Sequence, residues 1–315
     1  MKKIFFAILL TCLALYSKNL EFKDEITADG EIINLLIKDG NIYATTDSSI
    51  VDVFDLKTKK LIQKIKFSKV KDFFGDMSDV RIFSVDKLAD KLLFASQGTK
   101  GFSRVYLYYD KKLHPIFDEN DRMAIMKVKF IDKDKIIFSL LSSEVILYDL
   151  KNKKDIYDKQ ISGSKFSDFK LNKAKTKLLL SDESGSGKLV DTKTGNIIKK
   201  FSGQNLDNAY QVDYKNHIIA IASKDRRCGI YKDDGSMAYH KMSNFLVYSV
   251  GLSPDGKLCA FPSDEKNNIT VFDVQSKENL YKLTKSESPI SNIIFLDDNT
   301  LVTSNGNKIK FWSLK

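Results

Sequence analysis

Val250-Gly-Leu-Ser-Pro-Asp-Gly-Lys-Leu-Cys-Ala-Phe261, followed shortly by Val271-Phe272-Asp273, is the passage that decides the fold. An apolar alternation runs into Pro254-Asp255-Gly256, a turn that fixes φ at Pro and lets Gly take φ > 0. A second apolar run follows, so the phrase reads as a β-hairpin. Val271-Phe272-Asp273 then ends a third strand.

The phrase recurs. Its hairpin returns at 35–45, 83–96, 128–139, 169–181, 212–223 and 293–304, making seven copies. The apolar-aromatic-Asp ending of the third strand returns at Val53-Phe54-Asp55, Tyr108-Tyr109-Asp110 and Leu147-Tyr148-Asp149. Leu189-Val190-Asp191 keeps the acid, and Ile230-Tyr231-Lys232-Asp233 and Lys310-Phe311-Trp312-Ser313 are variants. The anchors 55, 110, 149, 191, 233, 273 and 313 are spaced 55, 39, 42, 42, 40 and 40 residues apart. A polar turn and a fourth strand follow most anchors, as in Asn196-Ile-Ile-Lys-Lys-Phe201. Four strands in about 40–45 residues make one blade of a β-propeller. The expected fold is all-β: a seven-bladed β-propeller over residues 18–315, a single domain. The seventh blade stops after three strands, and the spare stretch Asn19-Leu-Glu-Phe-Lys-Asp-Glu-Ile26 is expected to close it.

The chain resembles the WD-repeat-like propellers over nearly its whole length, in period and in the aromatic-Asp third strand. It lacks their Gly-His dipeptide, and Trp312 is its one Trp.

Met1-Lys2-Lys3 and the twelve-residue apolar run Ile4–Leu15 precede the propeller. That run spans about 18 Å as a helix, short of a bilayer core of about 30 Å. Residues 1–17 therefore read as a cleaved signal peptide, and the expected location is the periplasm. No later segment is apolar over 18 residues, so no stable membrane insertion is expected. The net charge is +10; removing Lys2 and Lys3 with the leader leaves +8.

Catalytic patterns are scarce. Ser184-Gly-Ser-Gly-Lys188 lacks the remaining Gly and the Ser or Thr of a phosphate loop, and reads as a turn. His114, His217 and His240 fall in unlike places, so no shared metal is expected. No repeated His or acidic position is visible that would line a central channel. No cofactor and no catalytic residue are assigned. Nucleic acid is not an expected partner: five Arg stand against 46 Lys, and the Lys-rich stretch 57–71 reads as a half-exposed edge strand. Cys228 and Cys259 lie in adjacent blades; whether they pair is left open by the sequence.

Two irregular segments are candidates for binding a protein. Phe73 and Phe74 lie in the segment that fills the 55-residue gap, and are either tucked onto the core or held out. Lys224, Arg226 and Arg227 sit in the turn between the second and third strands of blade 5. A monomeric, non-catalytic, protein-binding propeller is the expected function class. Among exported propellers the chain is similar to the NapL family of accessory proteins, encoded with bacterial periplasmic nitrate reductases. That resemblance implies a role in maturation or activity of the reductase, with its subunits as partners, and carries over no binding residues. A second reading is an envelope-assembly scaffold resembling BamB, which usually carries a lipidated Cys. A third is a propeller enzyme, lactonase or quinoprotein-like.

Overall fold

The computed structural model describes residues 17–315. The leader expected over residues 1–17 falls almost wholly outside the described residues. Seven sheets follow one another along the chain, each built on antiparallel strands in sequence order, two of them each joined by a strand from the N-terminus. They begin at Ile32, Ile82, Ile125, Phe166, Ala209, Gly251 and Ile290 and are numbered here as blades 1 to 7. The middle strands, such as Ile136–Ser139 within Lys135–Leu140, are buried on both faces, as their unbroken apolar runs require. The fourth strands, such as Lys154–Gln160, are mostly exposed and charged, which blunts the outer edge. Between every pair of neighbouring blades lies an apolar cluster; Val51, Val53, Phe67, Val85 and Phe94 fill the seam of blades 1 and 2.

The recurrent Asp works as a turn former. Asp55 accepts the backbone N–H of Thr58 at 2.6 Å and its hydroxyl at 2.7 Å. Asp149 accepts from Lys151 and Asn152, Asp191 from Lys193 and Thr194, and Asp273 from Gln275 and Ser276, all through backbone N–H groups. These donors hold the carboxyls of Asp55, Asp149 and Asp191 below the usual range. Two blades depart from the expected anchor. In blade 5 the strand position opposite the first residue of the second strand is Lys232, so Asp233 falls one place later and turns inward. In blade 2 the strand ends at Tyr109, and Asp110-Lys111 form a tight turn with φ of 49° and 57°.

The N-terminal closure is made by two strands rather than one. Asp24–Thr27 pairs antiparallel with Lys308–Ser313 and completes blade 7. Lys18–Leu20 instead adds a fifth, parallel strand to blade 6, against Asn279–Leu283. Phe22 lies between them, with its ring edge-on to Trp312 at 5.9 Å and the Lys310 ammonium over it at 4.4 Å. The 55-residue gap is filled by the hairpin Val70–Lys71 and Met77–Ser78.

Candidate functional site

Antiparallel strands alternate direction, so loops between blades share one face with the turns joining second and third strands. The first strand of each blade is innermost. In six blades it carries a β-bulge at the same place, where the pairing skips Ile33, Phe83, Met126, Ser167, Tyr210 or Ser291. A bulge re-aims the unpaired side chain. All six skipped residues are half-buried and line one cavity of about 470 Å³ at the mouth of the central channel. Tyr248 of the sixth blade completes this collar. Its ring lies 5.2 Å from that of Tyr210 and 6.4 Å from that of Phe245. Nothing in the periodic reading exposed this collar, because a one-residue bulge leaves the blade period unchanged.

Below the collar the channel wall is polar. Asp86, Lys127, Asp168 and Asp213 are buried there. Acidic residues thus do recur along the channel, against the sequence expectation. The structure also gives them work. Asp86 accepts the N–H of Phe130 at 2.9 Å, Asp168 that of Val212 at 3.1 Å, and Asp213 that of Leu252 at 2.9 Å. Each carboxylate therefore satisfies an open N–H on the innermost strand of the next blade, which would otherwise be an unpaired edge. Lys127 pairs with Asp168. Lys129 donates to the Val85 carbonyl at 2.7 Å, and burial pushes its ammonium down to about 8. The acids are thus committed as seam fasteners, and no three His, Cys, Asp or Glu side chains among the described residues form a metal-binding group.

The sequence candidates divide. Phe73 and Phe74 are 96% and 86% exposed, so the aromatics are held out into solvent rather than tucked onto the core. Their hairpin is ordered by Asp72, which accepts the N–H groups of Phe74 and Asp76 at 2.9 and 3.0 Å and the Ser78 hydroxyl at 3.2 Å. A recess of about 490 Å³ separates it from the turn Gln97–Gly101. Lys224 and Arg226 are exposed, and Arg226 has φ of 65°. Arg227 lies back instead, donating to the Gln204 carbonyl at 3.4 Å and standing 3.6 Å from Asp225. By blade order the two candidates flank the channel mouth from opposite sides of the same face; the structure does not bring them together. Leu206, 65% exposed, donates its N–H to Asp225 beside the Arg226 turn. Leu206, Tyr210, Phe245 and Tyr248 are members of this face that the sequence reading missed.

The other chemistry-bearing motifs are absorbed by the fold. Lys188 of Ser184-Gly-Ser-Gly-Lys188 is bound to Asp182 and to the Ser186 hydroxyl, which leaves no free phosphate cradle. His114 lies in a fourth strand, stacked on Tyr109 at 3.9 Å.

No protein-family model matches the chain, and no curated protein matches it. Solved structures do: the β-propeller domain of Cps50 (Swd1) from Myceliophteria thermophila superposes with a TM-score of 0.72 at 13% identity, covering 93% of this chain and 100% of that domain. At that identity the likeness is one of fold.

Proposed function

We propose that this chain is a non-catalytic, protein-binding propeller whose working surface is the face carrying the channel collar. The observation that carries this reading is the pair Phe73 and Phe74, presented almost fully to water on a hairpin that Asp72 holds in shape. An ordered aromatic pair loses the stabilisation of about 1.5–3 kcal/mol per ring that burial gives. Aromatic side chains, Phe among them, are enriched at protein interfaces. Arg226, Lys224, Arg227 and the collar tyrosines supply polar and aromatic contacts on the far side of the same mouth. The leader sequence supports work outside the cytoplasm, in the periplasm. The resemblance to NapL supports a nitrate reductase subunit as the partner, with the propeller serving maturation or activity of that complex.

The test is affinity capture of the tagged chain from periplasm of cells grown on nitrate, read by mass spectrometry. The wild type is expected to recover the reductase catalytic subunit or its redox partners. Phe73→Ala/Phe74→Ala should cut recovery at least ten-fold with no change in Tm. Recovery of outer-membrane assembly components without reductase subunits would sink the reductase reading. Equal recovery by the double variant would remove the aromatic hairpin from the interface.

A further inference from the structure

Cys228 and Cys259 lie outside the surface just described, and their sulfurs are 3.9 Å apart. Cys228 sits in the third strand of blade 5, Arg227–Lys232, and Cys259 in the second strand of blade 6, Leu258–Pro262. Both are fully buried in the seam between those blades, among Ala222, Ile230, Val250 and Phe261. The two residues are well separated in the chain, and they are the two cysteines of the described residues. We infer that Cys228 and Cys259 form a covalent staple, a disulfide that bridges blades 5 and 6 when the chain folds in the presence of a disulfide donor.

The geometry allows it. A disulfide needs the sulfurs at about 2.05 Å, a closure of about 1.9 Å from the observed contact. The two thiols are in contact across the seam, so bonding requires rotation of the two side chains and approach of the two strands. The step balances as ordinary thiol–disulfide exchange. The Cys228 thiolate attacks one sulfur of the donor and releases one donor thiolate. The Cys259 thiolate then attacks the mixed disulfide at the Cys228 sulfur and releases the second. Two protons and two electrons pass to the donor, which leaves as two thiols. Burial and the neighbouring Cys228 push the Cys259 thiol well above its ordinary range in the folded reduced protein. The exchange therefore belongs to folding, before the seam is dry, and the finished bond is shielded from reductants. The bond would add a covalent tie to a seam held by apolar packing, by hydrogen bonds such as Leu252 N–H to Asp213, and by a single connection.

The experiment refolds the full chain from guanidinium under oxidised and reduced glutathione, then alkylates it and digests it with trypsin. The expected result is one linked pair, Cys228–Lys232 with Leu258–Lys266, lost on reduction. The oxidised protein should melt about 5 °C above the reduced protein, and Cys228→Ala/Cys259→Ala should melt at the same temperature under both conditions. Alkylation of both residues, or glutathione carried separately on each, would overturn the inference. So would a melting difference that persists in the double variant. The readout contains no partner, so failure of the staple and failure of the binding reading are separate results.

Discussion

Asp233 shows how one side chain can carry a measurable pH dependence. It is buried, and its carboxylate accepts from the Tyr214 hydroxyl at 2.6 Å, faces His217 Nδ1 at 3.0 Å and lies 3.2 Å from the Lys177 ammonium. Burial pushes the acid up, but these partners outweigh it and hold the carboxyl below its ordinary range. The unfolded chain then binds more protons than the folded one below about pH 4, so stability is lost as the pH falls through that window. Asp233→Asn keeps an acceptor and removes the titration. Its Tm should lie about 2–5 °C below wild type at pH 7, with a shallower fall between pH 4 and pH 2.5. Parallel melting curves over that acid range would show that Asp233 does not contribute. The carboxylate beside His217 was hidden from the sequence, because Asp233 sits one register position later than its counterparts in other blades.

At the scale of the element, turns were easier to read than edges. Asp55, Asp149, Asp191 and Asp273 cap their turns through neighbouring N–H groups, a purely local chemistry that the tripeptide pattern reports. The N-terminal closure was legible as a spare strand, but its division between blades 6 and 7 was not. That division centres on Phe22, which meets Trp312 and Lys310 some 290 positions along the chain. Lys310 has no exposed side-chain surface; it donates to the Lys285 carbonyl at 2.7 Å and stands 3.5 Å from Glu25. Phe22→Ala removes the ring that covers this ammonium. It should cost about 1–3 kcal/mol in denaturant unfolding and speed amide exchange in Lys308–Ser313 above that in the middle blades. Unchanged exchange in that strand would mean that the N-terminal segment does not hold the ring closed.

For the molecule as a whole, charge acts together with shape. The chain carries 51 basic and 41 acidic residues, and 46 of the bases are Lys, most of the described ones exposed. A positive field of this kind speeds encounter with an acidic surface and is screened within about 8–10 Å at physiological salt. The association rate constant with the captured partner should therefore fall about ten-fold between 20 and 300 mM NaCl, while dissociation changes little. A flat salt response in surface-plasmon measurements would assign binding to the aromatic hairpin and collar without electrostatic steering.

The sequence by itself determined the class of fold, the seven-fold repeat and the positions of most turns, because each depends on alternation and on residues within a few places of one another. It also marked Phe73, Phe74 and Arg226 as irregular, since they interrupt the period. Tertiary structure alone decided that the two phenylalanines stand in water, that six bulges point a collar into the channel mouth, and that buried acids fasten successive blades. It alone placed Cys228 against Cys259. These outcomes depend on side chains from different blades meeting across seams, and a one-residue bulge or a sheet-to-sheet contact leaves no periodic trace in the chain.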